Sequence, residues 1–118
     1  MGLDQYWFLE KTKEEKMKDL ITNENTENDQ IGYHRKWYHL NEFMGEQYPD
    51  DVGEYNCVDL VISIDIVESL ELWIKRYTYS RAYTEDEFSE AEEFQNSTLP
   101  LIRKYVEEGR TVIYHPWW

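Results

Sequence analysis

Residues 3–12 read LDQYWFLEKT, and this run decides the fold class. Tyr6 and Phe8 alternate with Trp7 and Leu9, the two-residue period of a β-strand, and neither Gly nor Pro interrupts them. A strand with one solvated face alternates apolar with polar residues. Here both faces carry large apolar side chains, so the run is expected to be a central strand, or an edge strand covered by another element. The far end of the chain has the same character, since residues 110–118 read RTVIYHPWW. Pairing these two runs would set them side by side in one small antiparallel sheet.

The sequence between them is mainly helical in period. Trp37, Leu40, Met44 and Tyr48 recur at spacings of three, four and four, one face of a helix over residues 34–48, with Glu42 and Glu46 opposite. PDDVG at 49–53 closes that helix with a turn, and the apolar run 57–62 suits a short strand. Ser63 can cap a following helix, with Asp65 in its first turn and Val67, Leu70, Ile74 and Tyr77 along its buried stripe. Thr84-Glu85-Asp86-Glu87 is a capping box opening a further helix. NSTLP at 96–100 is expected to interrupt that helix, with Ser97 or Thr98 capping a new one that stops at Gly109. Residues 13–29 are polar; a short helix at 14–20 and a flexible loop at 22–30 are expected there. The fold class is α+β: one domain over 1–118, with a small antiparallel sheet that includes the N- and C-terminal strands, packed with about three helices.

The formal charge of -13 raises the question of disorder, but aromatic residues make up 16% of the chain and supply enough apolar area for a core. Burial in so short a chain is modest, so a homodimer is an expected way to hide leftover aromatic surface. The lone Cys57 beside an apolar run reads as a buried structural thiol in a reducing compartment, which points to the cytoplasm. No basic-then-apolar leader and no membrane-length apolar run are present.

Three segments together carry a resemblance: Met1-Gly-Leu-Asp4 at the start, Tyr33-His-Arg-Lys36 leading into an aromatic helix, and Tyr114-His-Pro-Trp-Trp118 at the end. In these the chain resembles a group of small phage and prophage proteins that begin Met-Gly-Leu-Asp, carry a Tyr-x-Arg-Lys motif and end in a strand with a terminal Trp. The family has no established activity, so the resemblance implies a phage setting and a host-cell cytoplasm, and no catalytic residues. The chain departs from the family in its Asn/Glu-rich loop and its heavier acidic load.

The carboxylates are unevenly placed. Residues 37–74 and 82–102 contain no Lys or Arg at all. Glu42, Glu46, Asp50, Asp51 and Glu54 fall in the first block, and Glu85, Asp86, Glu87, Glu90 and Glu93 in the second. An acidic face repels phosphate, which argues against direct nucleic-acid binding, and attracts basic protein surfaces. Carboxylates regularly spaced on rigid elements can also copy a phosphate backbone. With the phage setting, the expectation is a non-enzymatic DNA mimic that inhibits a host nucleic-acid-handling or defence protein, without cofactor or metal. Arg35 and Lys36 form a candidate anion site, though pairing with the chain's own acids is the plainer reading. Two other readings stand beside this one. The segment Tyr33, His34, Arg35, Lys36 and His39 could serve a small phosphate- or metal-dependent enzyme or ligand site, with His39 and Glu42 one helical turn apart. Alternatively, the chain is a soluble structural homodimer whose charge serves solubility.

Overall fold

The structure is a computed structural model and describes residues 2–22, 28–79 and 84–118. Strand β1 (Asp4–Leu9) is followed by helix α1 (Lys13–Thr22), strand β2 (Asp29–Arg35) and helix α2 (Tyr38–Gly45). A single 3-10 turn (Asp50–Val52) leads to the two-residue strand β3 (Leu60–Val61) and then to helix α3 (Ile64–Tyr79). Helices α4 (Glu85–Glu93) and α5 (Leu99–Glu107) are joined by one π-helical turn (Phe94–Thr98), and strand β4 (Val112–Trp117) ends the series.

The four strands form an antiparallel sheet in the order β2-β1-β4-β3. The chain is therefore α+β, with both terminal strands in one sheet. β1 is central, as its two apolar faces require: Trp7 and Leu9 are buried, while Tyr6 and Phe8 lie half-buried on the other side. Trp7 anchors the core, stacking on Phe94 at 5.7 Å between ring centroids and meeting Tyr114 at 5.0 Å. Leu40 and Met44 of α2, Val67, Leu70 and Ile74 of α3, and Ala91, Leu99 and Ile102 of α4 and α5 complete it. All the helical members of the core pack on the Trp7 side of the sheet.

Strand β2 departs from expectation. The helical period over 34–48 extends back to His34, but His34 and Arg35 are strand and α2 begins only at Tyr38. DQIGYHR lacks apolar alternation because β2 is an edge strand in which His34 is the one buried side chain. Of the loop expected at 22–30, Thr22 ends α1, Asp29 and Gln30 open β2, and residues 23–27 lie outside the described residues.

The expected break at Pro100 is also absent. Proline cannot donate a backbone bond and its ring collides with the carbonyl four residues back. The chain answers by widening one turn, so that the Leu99 amide bonds Phe94 O in a π-helical link and the helix continues. Neither Ser97 nor Thr98 caps α5, since Thr98 is helical and makes no cap bond. The widened turn presses against β2 at Gly32, where an added Cβ would lie 2.8 Å from Thr98 Cγ2 and 2.9 Å from Trp7 Cδ1. Glycine there lets helix and strand approach closely. Thr84 does cap α4, accepting from the Glu87 amide at 3.2 Å, and Ser63 accepts from the Ile66 amide at 3.3 Å. Gly109, at φ +80, stops α5. Cys57 is exposed rather than buried: the residue sits at φ +60 in a turn, and its amide bonds Pro116 O at 2.8 Å. The apolar run beside it contributes only Leu60–Val61 to the sheet, which leaves the thiol outside the core.

Candidate functional site

Alternation along β2 splits the cluster that the sequence draws together. Tyr33 and Arg35 point away from the helices, and His34 points into the core. The imidazole of His34 is 3% exposed and both ring nitrogens are engaged. Trp7 Nε1–H donates to Nε2 at 2.9 Å, so Nε2 holds a lone pair and the proton lies on Nδ1, 2.6 Å from Glu90 Oε1. A histidine held this way ties strand to helix and has no nitrogen left for a substrate. His39 sits outside the core, with Nδ1 2.7 Å from the Tyr77 hydroxyl and 3.0 Å from Glu87 Oε2. Tyr77 also accepts from Trp37 Nε1 at 3.3 Å and donates to Glu87 at 3.1 Å. Burial works to raise the Glu87 carboxyl, but bonds from Thr84 and Tyr77 and the nearby His39 outweigh it and hold it below its ordinary value.

The acidic residues therefore separate by partner. Glu87 and Glu90 are half-buried and face histidines of the β2–α2 corner. Glu42, Glu46, Asp50, Asp51, Glu54, Glu85, Asp86 and Glu93 are exposed and make no ion pair among the described residues. Glu87 of the second block touches His39, which lies within the first, and Glu42 follows His39 by three residues on α2. Arg35 and Lys36 are both exposed and pair with no carboxylate among the described residues. Lys36, at φ +58, donates its amide to Leu3 O at 2.7 Å and so continues the β1–β2 ladder. Arg35 faces the opposite side of β2 from His34, so these two share no anion pocket. Among the described residues, no group of three or more His, Cys, Asp or Glu is placed to hold a metal ion, and no helix is long and apolar enough to cross a membrane.

No family model, curated protein or solved structure matches this chain.

One surface escaped the sequence reading. On the side of the sheet opposite Trp7 and Tyr114, Tyr6 and Phe8 of β1 stack at 5.7 Å, and Tyr6 meets Tyr33 of β2 at 5.2 Å. His115 of β4 lies 6.4 Å from Tyr6 and 6.3 Å from Phe8, between centroids. Trp117 is 56% exposed at the end of the same row. The Asp4 carboxylate accepts from the Tyr33 hydroxyl at 2.5 Å, and Asp59 Oδ1 lies 2.6 Å from His115 Nδ1. Hydrogen bonding to Asp4, with burial and that carboxylate's charge, raises the Tyr33 phenol above its ordinary value. A hollow of ≈ 530 Å³ opens on this face, and no residue of a described helix lines it. The signal was present in the alternation of β1 and β4: once Trp7 and Tyr114 are assigned to the core, Tyr6, Phe8, His115 and Trp117 must share the opposite face.

Proposed function

We propose that this chain is a non-enzymatic binding protein whose partner carries a basic surface. In the phage setting implied by the resemblance, that partner is a host protein that handles nucleic acid or defends against phage, and binding inhibits it. The observation that carries this reading is the sorting of the ten candidate acids: Glu87 and Glu90 face histidines, and the other eight are exposed without a cation partner among the described residues. A surface that merely keeps a protein soluble intersperses both signs. Here the exposed acids of α2, the 3-10 turn and α4 lie in two stretches of sequence without a Lys or Arg, which favours steering and docking of a positive partner. Catalysis through His34 is the weaker reading, because both of its ring nitrogens are occupied. A general base needs a nitrogen free to take the substrate's proton.

The test is retention of bacterial lysate proteins on the immobilised chain, eluted by rising salt and identified by mass spectrometry. Basic proteins released steeply between low and moderate salt are expected. A variant carrying Asp50→Lys, Asp51→Lys and Glu54→Lys, checked for folding by circular dichroism, should lose them. Equal retention by that variant overturns the acidic-face reading.

A further inference from the structure

The sheet face opposite the Trp7 core has a composition that the net charge does not explain. The hollow on it is lined by Tyr6, Phe8, His115 and Trp117, by Ile113, and by Asn28 and Asp59, with no Lys or Arg among the described residues that line it. Rings present a negative face to a cation, and a carboxylate beside them adds a full charge. Asp59 Oδ1 faces His115, and the side chain is 59% exposed, so the carboxylate keeps acceptor capacity toward solvent. Arg35 is exposed at the β2 end of the sheet, opposite Asp4 in the β1–β2 register, and does not line the hollow.

Charge decides among the occupants such a face could take. A nucleic-acid strand could stack on the rings, but its phosphates would meet Asp4, Asp59 and a chain of formal charge -13. A second copy would bring the same carboxylates and the same charge against themselves. A cationic protein segment satisfies rings and carboxylate together. We propose that this face, with the hollow at Tyr6, Phe8, His115 and Trp117 as its centre, receives an Arg or Lys side chain of a protein partner, with Asp59 as counter-charge. The exposed acids on the helices then serve to attract that partner, and the sheet face to hold it. This rests on the reading that the partner is basic.

The probe is a 15-residue peptide alternating Arg with Gly and Ser, titrated while Trp fluorescence and the amide and indole NMR signals are followed. Binding is expected to shift the Trp117 indole and the β1 and β4 amides first. Trp117→Ala removes an exposed ring and Asp59→Asn an exposed charge, so both variants should fold. Each is expected to weaken the peptide about tenfold. Asp50→Asn with Asp51→Asn should weaken it at most about threefold, and that effect should vanish in high salt. Full affinity in Trp117→Ala, with loss in the Asp50/Asp51 variant, overturns the sheet-face proposal and leaves the basic-partner reading standing. No peptide binding to the unaltered chain at low salt overturns both. A dimer in light scattering that Trp117→Ala dissolves makes a second copy the occupant and overturns the proposal. Trp117-dependent binding of a single-stranded oligonucleotide overturns it likewise.

Discussion

Replacing Glu90 by Ala separates a carboxylate that holds the fold together from one that merely adds charge. His34 is 3% exposed and donates Nδ1–H to Glu90 at 2.6 Å. A buried donor bonded to an ionised acceptor is worth about 1.5–3 kcal/mol. The Glu90 side chain is 34% exposed, so water replaces part of that bond in the variant, and the net cost is about 1–2 kcal/mol. A chain of 118 residues unfolds with an entropy of about 0.25 kcal/mol/K near 60 °C, so Tm should fall by about 4–8 °C. Glu93 lies three residues along the same helix, exposed and without an ion-pair partner among the described residues, and Glu93→Ala should move Tm by less than about 2 °C. Charge alone predicts the opposite sign, because removing either acid from so acidic a chain relieves repulsion equally. Glu90→Gln keeps an oxygen acceptor and should recover roughly half of the loss. Thermal melts by circular dichroism at pH 7 read all three. Equal shifts for the two Ala variants, or a Glu90→Ala melt within about 1 °C of the unaltered chain, would refute the claim that Glu90 works through His34.

Gly32→Ala forces a Cβ within 3 Å of both Thr98 and Trp7, and overpacking of this kind costs about 1–3 kcal/mol. Adding Thr98→Ala should restore part of that loss in a denaturant titration, whereas strict additivity would show that the close approach is not the cause. Glu87 is held below its ordinary value, so the folded chain keeps this charge where the unfolded chain takes up a proton. Its contribution is present above the ordinary carboxylate value, about 4.3, and is lost as pH falls through the depressed one. Glu87→Gln should therefore lower Tm at pH 7 and flatten the fall of Tm below pH 5; an unchanged profile would count against the Thr84–Tyr77–His39 cradle.

What could be read along the chain depended on how local the cause was. β1 was legible because two consecutive apolar pairs can only be a strand buried on one side and furnished with rings on the other. Thr84, Ser63 and Gly109 were legible because caps and stops act within four residues. β2 was hidden because its edge position removes the alternation that marks a strand. Its role rests on two residues, Gly32 and His34, whose meaning comes from Thr98, Trp7 and Glu90. Pro100 was read as a break because a local rule forbids it inside an α-helix, and a single widened turn supplied the exception.

The acids show the same division with a practical consequence. Read by blocks, Glu87 and Glu90 are indistinguishable from Glu85, Asp86 and Glu93. The register that brings Glu87 to His39 and Glu90 to His34 spans 48 and 56 residues, by the numbering of the pairs, and nothing within a helix turn encodes it. Reversing the charge of the whole α4 block would therefore unclamp α4 from the β2–α2 corner at the same time as it stripped the surface. Loss of binding in such a variant would carry no information about recognition. Substitutions confined to Glu85, Asp86 and Glu93 on α4, and to Glu42, Glu46, Asp50, Asp51 and Glu54 before it, change the field while leaving both histidine clamps closed. Agreement between those variants and the sheet-face variants at Trp117 and Asp59 would distinguish attraction from grip: the first set should alter association rate and salt dependence, the second the lifetime of the complex.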